Sequence, residues 1–184
     1  MEVGETLYAP DRTAWRAWLE ANHTGAREIW LVLFRKGAEQ PSVAYVEAVE
    51  EALCFGWIDG ITKALDGERR VQRFTPRRPN GSWTELNKER ARRLIAAGLM
   101  TEAGYAILPD LSPDRFEIAP DILAALQADP VTWANFQAFP PLYQRVRIST
   151  IEEQRTRNPD EFQRRLARFL AKTSRNEQFG GPLI

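Results

Sequence analysis

A short apolar run, EIWLVLF at residues 28–34, constrains the fold of this chain more than any other feature. It is continuous and rich in strand-forming residues, so we predict a strand that is buried in a sheet. The segments before residue 110 alternate between helical and strand patterns, whereas the later segments are helical. The chain is therefore predicted to have an α+β fold, a small sheet with helices followed by an all-helical C-terminal region.

Capping residues predict where the helices begin. Asp11 precedes the helical pattern RTAWRAWLEAN, and Ser42 precedes VAYVEAVEEALC. Ser82 and Glu85 have the spacing of a capping box, which opens a helix that stops at Gly98. Further N-caps are predicted at Thr101, at Asp129 before Pro130, and at Asn158 before Pro159.

A boundary is predicted at about residues 108–121, LPDLSPDRFEIAPD, which contain prolines and acidic residues without any period. We therefore predict a core domain over residues 1–110 and a helical region over residues 111–184. The last stretch, EQFGGPLI, is expected to be loose.

The stretch FGWIDGITKALDGERRVQRFT predicts a β-hairpin whose turn contains Asp66-Gly67. A three-residue loop with positive φ at Gly67 would place Asp59 opposite Arg73. A two-residue loop would shift the register by one residue and separate this pair. We prefer the first register because it matches opposite charges and apolar residues across the strands.

The composition excludes several classes of site. Cys54 is the only cysteine and His23 the only histidine, which excludes an intrachain disulfide and a zinc site with two or more Cys or His ligands. We expect Cys54 to be a small buried hydrophobe and predict no cofactor. The N-terminus has no signal-peptide pattern and no apolar run is long enough to span a membrane, so a cytoplasmic protein is expected.

Positive charge is concentrated in one segment although the formal net charge of the chain is zero. Residues 63–93 contain ten Lys and Arg but four Asp and Glu. Within this segment, RFTPRRPNGSW combines three arginines with two prolines just before a predicted helix N-terminus. Helix N-termini and arginine side chains both favour anions, and prolines restrict the loop. We predict a pocket for an anionic small molecule at Arg73, Arg77 and Arg78, with Trp57 or Trp83 stacking on the ligand.

Other roles remain open for these arginines. Arg73 could pair with Asp59, and the other two could stack on tryptophan or bridge to acidic residues on neighbouring helices.

Carboxylates form a second candidate group. Glu47 and Glu51 share one face of a predicted helix, and Asp59 follows shortly. Together they could bind a hard cation, or Asp59 or Glu51 could act as the general base of an enzyme. They could equally form a solvated acidic face that pairs with the arginines.

Nucleic-acid binding through residues 63–93 is a further alternative, which we rank below the anion site. It requires a continuous basic face that extends onto the helix NKERARRL. Two glutamates in residues 85–93 interrupt that helix, and aromatic residues are not interleaved with its basic ones.

Three strings resemble the bacterial YdeI/OmpD-associated family, also labelled bacteriocin-protection proteins. They are WLEANH, PSVAYVEAVEEALCFGWIDG and FTPRRPNGSWTELNKERARRLIAAGLMTEAG. The resemblance is close over about residues 5–110 and looser in the C-terminal part. There, Pro159-Asp160-Glu161-Phe162 stands before Arg164-Arg165 where the family has a Pro-Glu-Thr-Arg run.

The resemblance implies an α+β core of the YjbR/CyaY-like group in proteins without an established biochemical activity. The family labels imply tolerance of antimicrobial peptides or association with the outer membrane. Residues of the matched strings that are chemically able to act are Glu47, Glu51, Trp57, Asp59, Arg73, Thr75, Arg77, Arg78, Trp83 and Asn87.

Overall fold

The computed structural model describes residues 2–35 and 37–181, and these residues form two compact units. The first unit comprises Met1–Ser82 and Arg90–Pro109, and the second comprises Trp83–Glu89 and Asp110–Ile184. One helix, α3 (Glu85–Ala96), thus contributes to both units. The division into residues 1–110 and 111–184 stays a prediction.

The first unit contains a four-stranded sheet in the order β1-β2-β4-β3. Its strands are β1 (Thr6–Tyr8), β2 (Ile29–Phe34), β3 (Trp57–Ala64) and β4 (Arg69–Pro76). β1 is parallel to β2, whereas β2 and β4, and β3 and β4, are antiparallel. The predicted buried strand is thus confirmed as β2, which pairs on both edges.

Both faces of β2 are buried. Trp30 and Val32 pack with Val71 of β4 on one face. The alternating Ile29 and Leu31 are almost completely buried as well. An unbroken apolar run is the sequence pattern of such a strand, because neither face can carry polar side chains.

The hairpin has neither of the two predicted registers along its whole length. Asp59 lies opposite Phe74, and Thr62 lies opposite Gln72, with an irregularity between these two pairs. The preferred pairing of Asp59 with Arg73 is therefore wrong. Gly67 does not have a positive φ either. Instead, Asp66 stabilises the turn, since its Oδ1 accepts the backbone N–H groups of Glu68 and Arg69.

The helices of the first unit are α1 (Arg12–Asn22), α2 (Tyr45–Cys54), the C-terminal part of α3 (Glu85–Ala96) and α4 (Glu102–Tyr105). Asp11 caps α1 as predicted, accepting the N–H of Ala14 at 2.8 Å. Ser42 does not cap α2, because its hydroxyl accepts the N–H of Phe34. The predicted caps at Thr101 and Gly98 are confirmed: Thr101 accepts the N–H of Gly104, and Gly98 follows α3 with φ 69°.

Two glycines allow α4 to pack closely against the end of α2. A Cβ on Gly104 would lie 2.4 Å from the carbonyl oxygen of Cys54. Gly56 has φ 74°, and a Cβ there would lie 2.8 Å from the carbonyl oxygen of Ala103. Side chains at either position would therefore force the two segments apart.

The second unit is helical. It contains the N-terminal part of α3, a 3₁₀ helix (Pro113–Arg115), α5 (Pro120–Gln127), α6 (Pro130–Ala138), α7 (Pro141–Glu152) and α8 (Pro159–Thr173). Asp129 caps α6 and Asn158 caps α8, as predicted. Ser82 does not cap α3; Thr84 does, because its hydroxyl accepts the N–H of Asn87 at 3.1 Å.

The core of the second unit is aromatic and aliphatic. Its buried members are Ile122, Leu126, Phe136, Phe139, Tyr143, Ile148, Ile151, Phe162 and Phe169. Phe179, in the stretch expected to be loose, also packs against this core. The last three residues of that stretch lie outside the described part of the chain.

The predicted fold class is confirmed. A small sheet with helices is followed by helices alone, which is an α+β arrangement. Membership of the YjbR/CyaY-like group remains a prediction.

Candidate functional site

Asp59 lies in β3 and is held by a residue of α2. Its Oδ2 accepts a hydrogen bond from the Tyr45 hydroxyl, with 2.6 Å between the two oxygens. Burial, together with this hydrogen bond to Asp59, raises the pKa of the Tyr45 hydroxyl. Tyr45 thus remains a neutral donor to the carboxylate at neutral pH. This pairing is not apparent from the sequence, because Tyr45 fits the apolar pattern of the helical stretch VAYVEAVEEALC.

Arg73 is paired with Glu28 and not with Asp59. Its Nε donates to Oε2 of Glu28 at 2.9 Å, and its Nη2 donates to the same oxygen. This hydrogen bonding lowers the pKa of the Glu28 carboxyl. The ion pair removes most of the charge that Arg73 would offer to a ligand. Thr75, two residues further along β4, is half-buried and lies opposite Ile58.

Arg77 follows β4 and is held by backbone groups. Its N–H donates to the carbonyl oxygen of Gly56 at 2.8 Å, and its Nη1 donates to the carbonyl oxygen of Ser82 at 3.1 Å. Burial lowers the pKa of the guanidinium to about 10, and the nearby charge of Asp59 opposes this shift. Arg77 therefore remains cationic at neutral pH in a half-buried position.

Arg78 is exposed beside Arg77. The turn that follows is closed by the N–H of Gly81, which donates to the carbonyl oxygen of Arg78 at 3.1 Å. Asn80 in this turn has φ 59°, the left-handed conformation that asparagine tolerates better than most residues. The loop thus presents one anchored and one solvent-facing arginine side by side.

Glu51 is a structural residue, because its side chain is 2% exposed and both of its oxygens are occupied. Oε1 accepts Nε of Arg12 at 2.5 Å, and Oε2 accepts Nη1 of Arg16 at 2.7 Å. A buried carboxylate whose two oxygens are each held by a guanidinium group has no access to substrate. The interpretation of Glu51 as a general base is therefore not supported by its surroundings.

Glu47 also has a local role, since it accepts the N–H of Ala44 at 3.2 Å and so caps α2. Glu47, Glu51 and Asp59 thus each have a different partner. Among residues 2–35 and 37–181, the structure contains no group of three or more His, Cys, Asp or Glu side chains that could hold a metal ion. The alternative of a hard-cation site on these three carboxylates is wrong for this arrangement.

Trp57 is 1% exposed. Its Nε1 donates to the carbonyl oxygen of His23 at 3.2 Å, and its ring contacts Trp18 edge to face. Stacking of a ligand on this ring would require the core to open. Nearby Cys54 is completely buried, as expected, and burial raises the pKa of its thiol to about 11.

Trp83 and Asn87 belong to the second unit. Asn87 is almost completely buried in the first turn of α3. Trp83 lines a groove with a volume of about 540 Å³, together with Glu85, Phe116 and Ile148. Glu85 is itself buried and forms ion pairs with Lys88 and Arg145.

Ion pairs interrupt the basic segment 63–93. Arg69 pairs with Asp66, and Arg73 pairs with Glu28 from the acidic N-terminal part. Arg90 is almost completely buried and cannot reach a phosphate backbone. A continuous basic face for nucleic acid is therefore not formed by these residues.

Two family models match the chain. Residues 7–107 match a family described as a domain of unknown function (DUF8412). Residues 115–176 match the family described as "Bacteriocin-protection, YdeI or OmpD-Associated". The first match covers more than half of the chain, which therefore belongs to that family, and residues 115–176 are similar to the second family. Among curated proteins and among solved structures, nothing matches it significantly.

The predicted YdeI/OmpD-associated family is thus confirmed, but on a different part of the chain. The resemblance was identified on strings within residues 5–110, whereas the family model matches the C-terminal part. The departure at Pro159–Phe162 lies inside the matched range and does not prevent the match. In the described part of the chain, no helix has the length and apolar character needed to cross a membrane.

Proposed function

We propose that this YdeI/OmpD-associated protein binds a small anionic molecule at the loop that carries Arg77 and Arg78, without a cofactor. This proposal depends on the position of Arg77. Its half-buried guanidinium donates to the Ser82 carbonyl, and the neighbouring Arg78 is exposed. An anion that approached Arg78 would meet two cationic forks, the geometry that suits bidentate binding of phosphate or carboxylate.

The loop is restrained before any ligand arrives. Pro76 and Pro79 limit its backbone, the Gly56 carbonyl accepts the N–H of Arg77, and the turn at Asn80 is closed by Gly81. A restrained loop loses less conformational entropy when it binds, which supports a binding role.

Asp59 orients this site in the proposal and does not act as a base. Its carboxylate accepts a hydrogen bond from Tyr45, and its negative charge attracts the positive charge of Arg77. The description "bacteriocin-protection" supports a protective role for the bound state, because it names no reaction. A cytoplasmic location remains part of the proposal.

A thermal-shift screen tests the proposal. The purified protein is screened against nucleotides, sugar phosphates, carboxylates, divalent metals and short oligonucleotides, in parallel with the variant Arg77→Ala/Arg78→Ala. A ligand at about 100 times its Kd should add about 2.7 kcal/mol of stability, which is several degrees in Tm. A shift confined to the parent protein supports the loop site. An equal shift in the parent and the variant, or no shift in either, contradicts it.

A further inference from the structure

A second cluster of arginines lies in the second unit, between helices α7 and α8. A cavity of about 360 Å³ is lined by residues of α7, of α8 and of the segment after α8. We call it the arginine pocket. The residues that matter to its chemistry are Arg147, Thr150, Glu161, Arg165, Arg168 and Phe179.

Aromatic rings hold two of the three arginines in place. The guanidinium of Arg147 lies 5.0 Å from the ring centre of Tyr143 and 5.2 Å from that of Phe179. The guanidinium of Arg168 lies 5.2 Å from the ring centre of Phe179. A cation–π contact orients a guanidinium but leaves its charge and its N–H donors available for an anion.

The backbone after α8 also fixes Arg147. Gly180 has φ 89°, and a Cβ at this position would lie 2.2 Å from Nη2 of Arg147. Phe179 is tied to the helices because its N–H donates to the hydroxyl of Tyr143 at 3.1 Å. The Nε of Arg147 is buried and has no hydrogen-bond partner among the described residues. A buried donor without a partner is costly, and a bound anion would supply an acceptor nearby.

The charges of the pocket do not balance. Arg165 is the one pocket arginine that pairs with a carboxylate, and its Nε donates to Oε1 of Glu161 at 2.7 Å. Hydrogen bonds from Arg165 and Arg164 lower the pKa of Glu161, so it stays ionised. Within residues 2–35 and 37–181, neither Arg147 nor Arg168 has an ion pair with a carboxylate. Three guanidinium groups thus face one carboxylate, an excess of two positive charges.

We propose that the arginine pocket binds the phosphate group of a small phosphomonoester. A phosphomonoester carries between one and a half and two negative charges at neutral pH, which matches the excess charge of the pocket. Its three oxygens can accept from several guanidinium donors at once. The volume is near the lower end of the ~300–1,000 Å³ typical of small-molecule sites, so it suits a small ligand and excludes a folded partner. This site is separate from the Arg77–Arg78 loop, because its residues all belong to the second unit.

The test uses the full chain and two phosphate probes. Inorganic phosphate and glycerol phosphate are titrated into the parent protein at constant ionic strength, with acetate and citrate as carboxylate controls. Binding is followed by NMR through the side-chain Nε–H signals of the arginines, which report each guanidinium separately. We expect the signals of Arg147 and Arg168 to shift with both phosphate probes, and much less with acetate.

Matched variants separate this site from the loop. Arg168→Met removes an exposed pocket charge, whereas Arg157→Met removes an exposed charge from the same unit outside the pocket lining. We expect Arg168→Met to weaken phosphate binding roughly tenfold and Arg157→Met to leave it almost unchanged. The loop variant Arg77→Ala/Arg78→Ala should retain the pocket signals. Equal weakening by Arg168→Met and Arg157→Met, or loss of the shifts in the loop variant alone, would overturn the proposal.

Discussion

Two groups of arginines in this protein are built on opposite principles. In the first unit, Arg12 and Arg16 converge on Glu50 and Glu51, and Arg16 also pairs with Glu20, so that two positive charges meet three negative ones. In the arginine pocket of the second unit, three arginines meet one carboxylate, and aromatic rings replace the missing acids. The first group has no excess positive charge and holds helices together. The second keeps a positive charge that a ligand could use.

The partner of an arginine therefore indicates its role better than its position in a basic stretch of sequence does. Arg73, in the most basic segment, is neutralised by Glu28. Arg147 and Arg168 lie in a part of the chain with nearly balanced charge and yet keep theirs. An arginine paired with a carboxylate has a structural role. An arginine held by aromatic rings or carbonyl groups keeps a positive charge that can bind a ligand.

The largest expected effect comes from removing Glu51, the acid that both arginines of the first group share. Glu51→Gln should lower the free energy of unfolding by about 3 kcal/mol, because two partly buried guanidinium groups each lose their buried charge partner and keep only a more exposed one. Urea unfolding at neutral pH measures this. Glu47→Gln is the control, since an amide oxygen can still accept the Ala44 N–H, and it should cost less than about 0.5 kcal/mol. Equal stability of both variants would show that the cluster does not hold the helices.

A second pair of variants compares a carboxylate partner with a carbonyl partner. Arg73→Met should lower the free energy of unfolding by about 1 kcal/mol, because it leaves Glu28 without its ion pair. Arg77→Met should not destabilise the protein. Burial lowers the pKa of Arg77 to about 10, well below the ordinary value of an arginine. Folding therefore opposes the charged form of Arg77, and this penalty is fully present below pH 10 and disappears as the pH rises from 10 towards the ordinary pKa of arginine.

Thermal unfolding of the parent and both variants at pH 7 checks this comparison. Loss of stability in Arg77→Met as large as in Arg73→Met would mean that Arg77 is a structural residue. The proposed loop site would then lose its main support.

Local features of the fold could be predicted from the sequence. The caps at Asp11, Asp129 and Asn158 depend on residues three positions apart, so short segments contain all the information. The buried strand β2 follows from its unbroken apolar run. The hairpin register failed because the irregularity between Asp59 and Thr62 shifts the pairing, and neither loop length reveals it.

The partners of the charged side chains could not be predicted, because they are distant in sequence. Glu28 and Arg73 are 45 residues apart, and Arg12 and Glu51 are 39 apart. The pocket arginines lie on two helices and become neighbours only through the packing of α7 on α8. Phe179 completes the pocket from a stretch whose composition gave no structural signal. Neither the ion pairs nor the pocket residues form a motif that can be recognised in a single sequence.

Acid titration tests the effect of an arginine partner on a single carboxyl group, that of Glu28. The Arg73 hydrogen bonds lower the pKa of Glu28 from its ordinary value of 4.5. Because the folded pKa is depressed, this stabilisation is fully present above pH 4.5 and is lost as the pH falls through the folded pKa. NMR of the carboxyl carbon should show Glu28 titrating below pH 4.5 in the parent and closer to 4.5 in Arg73→Met. An unchanged titration in the variant would assign the shift to Trp30, whose Nε1 also donates to Glu28.

The smallest expected effect on stability comes from replacing Arg168 in the arginine pocket. These variants distinguish a role in binding from a role in packing. Arg168 is exposed, and its contact with Phe179 is worth at most about 0.5–1 kcal/mol at such a position. Arg168→Lys keeps a cation near the ring but loses the planar fork, whereas Arg168→Met loses both. Urea unfolding should therefore place both variants within about 1 kcal/mol of the parent, while phosphate affinity falls in the order parent, Lys, Met. A large loss of stability in Arg168→Met would make this residue a structural one, and ring partners would then be no better a sign of binding than carboxylates.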